Sequence, residues 1–116
     1  MTPMRVVSLV CSNTEIVAAL GCGHLLVGVD SSSDHPAELV GRLPRVGKDL
    51  DVDPARVAAL RPDLVLASLT VPGHERVVAR LAEAKLPMLV LAPFLLILFL
   101  RFRFWIVSIV FFLAHC

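Results

Sequence analysis

Val6-Val-Ser-Leu-Val-Cys-Ser-Asn-Thr-Glu-Ile-Val-Ala-Ala-Leu-Gly21 decides the fold. Val6 to Leu9 is a β-branched apolar run of strand length, and Ser12-Asn-Thr-Glu15 after it has the form of a capping box, Ser12 at the N-cap and Glu15 at N3. A helix is expected to start there. It should bury Ile16, Ala19 and Leu20 at i, i+3, i+4 and end at Gly21, which takes a left-handed backbone at little steric cost. Strand, tight loop and helix form the first unit.

The same alternation continues downstream. Leu25 to Val29 is a second apolar run, closed by the polar cluster Asp30-Ser-Ser-Ser-Asp34, after which Pro36 opens a short helix through Leu39 and Val40. Asp53-Pro54 is a stronger start, with Asp at the N-cap and Pro at N1, followed by Val57, Ala58 and Leu60 before Pro62. Asp63 to Ala67 reads as a buried strand and Pro72-Gly73 as a turn. From His74 to Lys85, Val77, Val78, Leu81 and Ala82 recur at helical spacing, and Met88 to Leu91 closes the series as a fourth strand. Strands apolar on both faces and separated by helices indicate an α/β fold: a parallel four-stranded sheet with flanking helices and right-handed crossovers. Ligands of such sheets bind outside the carboxyl ends of the strands, so the loops at 10–14, 30–35 and 68–75 should share one rim.

The chain has 116 residues, enough for one modest domain. Its net charge of +1 points neither to nucleic acid nor to an anionic membrane surface. Composition is sharply divided: all six Phe and the single Trp lie from Phe94 onward, whereas all ten acids, six Gly and eight Pro lie before it. The expected organisation is therefore a lobe over 1–93 and an apolar tail over 94–116. Cys11, Cys22 and Cys116 are an odd set without a C-x-x-C pair, so free thiols are expected rather than a zinc knuckle or disulfide framework. The N-terminal apolar run is too short for a signal-peptide core, so as written the chain carries no export address.

On the rim, Cys11-Ser12-Asn13-Thr14 places small polar side chains at a helix N-terminus, which suits a carboxylate or phosphate of a ligand; the capping role of Ser12 and Glu15 explains the same residues. Cys11 is either a thiol facing that helix end or a buried inert one. Asp49, Asp51 and Asp53 alternate, but Pro54 and Leu60 stand where a calcium loop needs Gly and Glu, and His24, His35, His74 and His115 lack zinc spacing, so no metal is expected. Neither a dinucleotide fingerprint nor a Walker loop occurs, and no cofactor is expected. Glu75, in the first turn of its helix, either complements the helix dipole or offers a docking contact to a cation. No nucleophile, base and orienting group assemble from these residues, so the chain is not expected to be an enzyme.

The ordered set Arg5-Val-Val-Ser-Leu-Val-Cys-Ser-Asn-Thr-Glu15, Leu26-Val-Gly-Val-Asp30, Ser33-Asp-His-Pro36, Arg45-Val-Gly47 and Arg61-Pro-Asp-Leu-Val-Leu-Ala67 resembles the N-terminal lobe of the ABC-importer substrate-binding proteins for iron-siderophores and vitamin B12. The resemblance covers roughly residues 4–93. It implies a receptor that holds a metal chelate such as cobalamin, haem or a ferric siderophore between two α/β lobes and delivers it to ABC permease subunits, in the periplasm or cell envelope. It maps ligand-facing loops onto Cys11, Ser12 and Asn13, onto Ser31 to Ser33 with Ser32 at the centre, onto Gly47 to Asp49 with Lys48, and onto Ser68 to Thr70. It makes Glu75 the permease-docking acid. The family usually has Pro where Cys11 stands, and this lobe supplies no aromatic contact, since residues 1–93 contain no Phe, Trp or Tyr.

The resemblance stops at Pro93. The 23 residues that follow exceed the ~20 of a transmembrane helix, but Arg101 and Arg103 near the middle would each cost about 2.5–3.5 kcal/mol there. Their Phe, Ile and Val content also fits a strand pair, and the abrupt change of composition at Phe94 is what a shifted reading frame or truncated gene would produce. Two functions follow: a truncated receptor lobe for metal chelates, or a membrane-tethered or partner-binding α/β module without a small-molecule ligand, associated through 94–116. Without a leader, the chain as written would be cytoplasmic or membrane-associated.

Overall fold

The computed structural model describes residues 4–91. The segment 94–116, with its membrane, strand-pair and frame-change readings, lies outside the described residues. The elements run β1 (Val6–Ser8), α1 (Cys11–Ala19), a 3₁₀ turn (Gly23–Leu25), β2 (Leu26–Val29), α2 (Ala37–Val40), β3 (Gly47–Lys48), β4 (Asp51–Val52), α3 (Pro54–Ala59), β5 (Leu64–Ser68), α4 (His74–Glu83) and β6 (Met88–Leu91). Strands β2, β1, β5 and β6 form a parallel four-stranded sheet in that order, which is the α/β fold expected.

Both faces of the sheet are covered, which is why its strands read as unbroken apolar runs. Val6, Leu26, Val29 and Leu66 pack with Val17 of α1 on one side, and Val7, Val65 and Ala67 pack with Val57 of α3 and Val77 and Leu81 of α4 on the other. Each fully buried Val or Leu contributes about 1.5–3 kcal/mol of transfer free energy. At the start of α3 the Asp53 side chain accepts the Ala55 N–H at 2.9 Å, with Pro54 in the first turn, as the sequence predicted. Gly21 takes φ 75°, also as predicted. Among the described residues no helix is long and apolar enough to cross a membrane.

Three expectations are corrected. Ser12 does not cap α1: Val10, at φ 73°, holds the N-cap position without a side-chain cap bond, and Ser12 lies inside the helix, exposed. The buried face of α1 is Asn13, Thr14 and Val17, whereas Ile16 (38%) and Leu20 (41%) are exposed, as is Ala19. The reason is that this helix docks through polar groups at its amino end, which fixes its rotation against hydrophobic preference. Third, the stretch after Arg45 is not a plain loop. It runs beside β2, with Val46 N–H donating to Val29 O at 3.0 Å, and then folds into the β3–β4 hairpin. Gly47 sits there at φ 114°, where a Cβ would come within 2.8 Å of Asp51 O.

Candidate functional site

The carboxyl ends of β1, β2 and β5 meet at one rim, tied together beneath the surface by α1. Asn13, 2% exposed, donates through Nδ2 to Leu9 O at 2.7 Å and to Ala67 O at 3.2 Å, joining the ends of β1 and β5. Thr14, fully buried, shares hydrogen bonds with Ser8 Oγ at 2.9 Å and Ser33 Oγ at 2.8 Å, joining β1 to the loop after β2. Ser33 Oγ donates to Asp30 Oδ1. A hydroxyl has one proton, so the direction of the chain is set: Ser8 donates to Thr14, Thr14 to Ser33, and Ser33 to Asp30.

Asp30 is buried, and its carboxyl accepts from the Ser33 hydroxyl and the Ser32 N–H. Burial pushes its carboxyl above the ordinary range; the Ser33 hydroxyl and the Ser32 N–H, at 3.1 Å, oppose this, and the negative charge of Asp49 adds to it. Arg45 secures the same loop from the side by donating to the carbonyls of Asp30 (3.0 Å), Ser33 and Val40 (3.3 Å). The hairpin joins the rim where Ser31 N–H donates to Gly47 O at 2.7 Å, and Arg80 of α4 reaches Asp51 at 3.4 Å.

The third loop is held from below by a histidine. His74, 1% exposed, accepts the N–H groups of Thr70 (3.2 Å) and Val71 (3.3 Å) at Nδ1, while Ser68 Oγ donates to Thr70 Oγ1 at 3.1 Å. Glu75 is exposed; its carboxylate accepts the Gly73 N–H at 3.1–3.2 Å. Its own backbone N–H, then that of Gly73, hold its pKa below the ordinary carboxylate value.

The residues proposed from sequence thus fall into two groups. Cys11, a free thiol, and Ser12, Ser32, Lys48 and Thr70 are exposed on the rim. Asn13 and Ser68 are not: both are buried, Asn13 spending its amide on strand-end carbonyls and Ser68 lying at the last position of β5. The sequence reading missed Asp30, Arg45 and His74 as rim-building groups. Arg45 stood in a quoted motif, and His74 opened a helix, but nothing in their spacing announced burial. It also missed the apolar portion of the rim, where Leu50, Leu69 and Val71 are 44–45% exposed and Leu50 lies against Gly73.

Residues 6–89 match the family model described as periplasmic binding protein. Over 82 residues the chain is 43% identical to an ABC transporter substrate-binding lipoprotein of Bacillus subtilis, covering 71% of this chain and 24% of that one. Over 63 residues it is 43% identical to a vitamin B12-binding protein of Vibrio parahaemolyticus, 54% of this chain and 22% of the other. Among solved structures, the periplasmic heme-binding protein of Roseiflexus sp. RS-1 superposes with a TM-score of 0.67 at 33% identity over 78% of this chain and 34% of its own. The periplasmic vitamin B12 binding protein of Vibrio cholerae gives 0.63 at 31% identity, over 74% and 33%. The chain therefore spans about a quarter of these curated relatives and about a third of these solved structures.

Proposed function

Because this chain belongs to the periplasmic binding protein family, we propose that it is the N-terminal lobe of an ABC-importer receptor. It binds a metal chelate (cobalamin, haem or a ferric siderophore) without transforming it. The observation that carries this reading is the convergence of four loops on one rim whose hydrogen bonds are satisfied from beneath, leaving its outer side chains to a ligand. Hydroxyls of Ser12, Ser32 and Thr70, the Lys48 ammonium and the Cys11 thiol lie on it together with aliphatic Leu50, Leu69 and Val71. Relatives named for vitamin B12 and heme match this same lobe, which supports the chelate class.

Glu75 is the proposed docking acid. Its pKa is depressed by local N–H donors, so it stays ionised at neutral pH and exposed beside the rim, as a contact for an arginine or lysine of a permease requires. The compartment that goes with this function is the periplasm or cell envelope. Calorimetric titration of the full chain with cyanocobalamin, hemin and a ferric hydroxamate siderophore tests the proposal. One of the three should bind saturably and lose affinity in Lys48→Ala and Ser32→Ala; a folded protein that binds none of them ends it.

A further inference from the structure

Among the described residues, His74 Nε2 is a buried side-chain nitrogen with no hydrogen-bond partner. The other ring nitrogen is fully engaged: Nδ1 accepts two backbone N–H groups, from Thr70 and Val71. A nitrogen that accepts carries no proton, so the neutral ring bears its hydrogen on Nε2. That atom lies 3.7 Å from Asp49 Oδ2, at the turn of the β3–β4 hairpin. The separation is too long for a hydrogen bond and short enough for strong attraction once the ring is charged.

An imidazolium has two donors and no acceptor. Protonating His74 therefore sets a third N–H against those of Thr70 and Val71, and at the same moment gives Asp49 a cationic donor. The two consequences act on two rim loops together. The loop after β5 loses its anchor, and the hairpin turn gains one. The charged groups around the ring are Asp49 on the hairpin and Glu75 and Arg76 on α4 itself, with Asp30 behind Asp49.

We propose that His74 is the positioning residue of the rim loop Ser68–Val71, and that placing a proton on its Nδ1 opens this loop and weakens ligand binding. The second clause rests on the receptor function proposed above; the first does not.

Amide hydrogen exchange of the full chain, followed by NMR, tests it. The protection factors of Thr70 and Val71 should fall roughly tenfold from a neutral to an acidic sample. Val46 and Val65, which donate to Val29 O and Pro87 O, serve as references and should hold. In His74→Asn the side-chain carbonyl can accept the same two amides and does not titrate, so protection should persist at both pH values. His74→Phe should lack it at both. Unchanged protection in the wild type while the references hold, or an opening in His74→Asn like that of the wild type, overturns the proposal. If the loop opens in acid but no chelate binds at any pH, the receptor reading fails and the positioning role stands.

Discussion

Thr14→Val isolates the polar chain under the rim. Valine matches threonine in shape, so no cavity opens; what disappears is Oγ1 and its bonds to Ser8 at 2.9 Å and Ser33 at 2.8 Å. Ser33 still has Asp30 to donate to, whereas Ser8, fully buried, keeps a hydroxyl proton with no acceptor. A buried donor left unpaired costs about 1–3 kcal/mol. For a lobe of this size that is a fall in Tm of about 4–8 °C per kcal/mol. Removing the orphaned hydroxyl should undo part of the damage: Ser8→Ala/Thr14→Val should cost less than the sum of the single changes, by about 1 kcal/mol or more. Ser12→Ala is the control. A cap residue would cost about 0.5–2 kcal/mol, and an exposed residue inside the helix should stay within about 0.5 kcal/mol. Urea unfolding of the four variants decides. Additive losses at Ser8 and Thr14, or a Ser12 penalty as large as that at Thr14, would refute the directional chain drawn here.

Asp30→Asn should become more stable relative to the wild type as pH rises. The folded-state pKa lies above the ordinary 3.8, so its favourable contribution is complete below the unfolded value and is withdrawn as pH climbs through the folded one. Urea midpoints of the pair from about pH 4 to about pH 7 should diverge in that direction, and a constant gap would remove burial as the cause. Asp53→Ala removes the cap on Ala55 N–H and should cost about 0.5–2 kcal/mol by thermal melting. Gly47→Ala strains a residue at φ 114° and drives a Cβ to 2.8 Å from Asp51 O; we expect a loss of about 1–3 kcal/mol and faster amide exchange across the hairpin.

The parallel sheet was legible because burial on both faces turns each of its strands into an uninterrupted apolar run. Val65, Leu66 and Ala67 could hardly have been read otherwise. Helix α1 was located correctly and rotated wrongly. Periodicity assigns the apolar residues inward, yet here Asn13 and Thr14 are inside and Ile16 and Leu20 outside, because the hydrogen bonds to Leu9, Ala67, Ser8 and Ser33 set the rotation. The apparent capping box failed for a related reason: the chain leaves β1 through Val10 at φ 73°, so the helix begins one residue before Ser12. The β3–β4 hairpin has two residues per strand, too few for an alternation to register.

Rim residues that the sequence marks as polar are therefore of two physical kinds, and only position in the fold separates them. Asn13, Thr14, Ser33 and Ser68 are short, buried and bonded to other groups of the lobe. Ser12, Ser32 and Lys48 are exposed, so their substitution leaves that framework in place, whereas Thr70 is exposed yet accepts the Ser68 hydroxyl at 3.1 Å. On the receptor function proposed above, such a lobe changes what it holds by altering outer side chains while the shape beneath them stays fixed. Relatives named for such different molecules as heme and vitamin B12 superpose on this one arrangement of strands. On that same proposed function, selectivity rests with the exposed set, and the exposed Leu50, Leu69 and Val71 add apolar contact area.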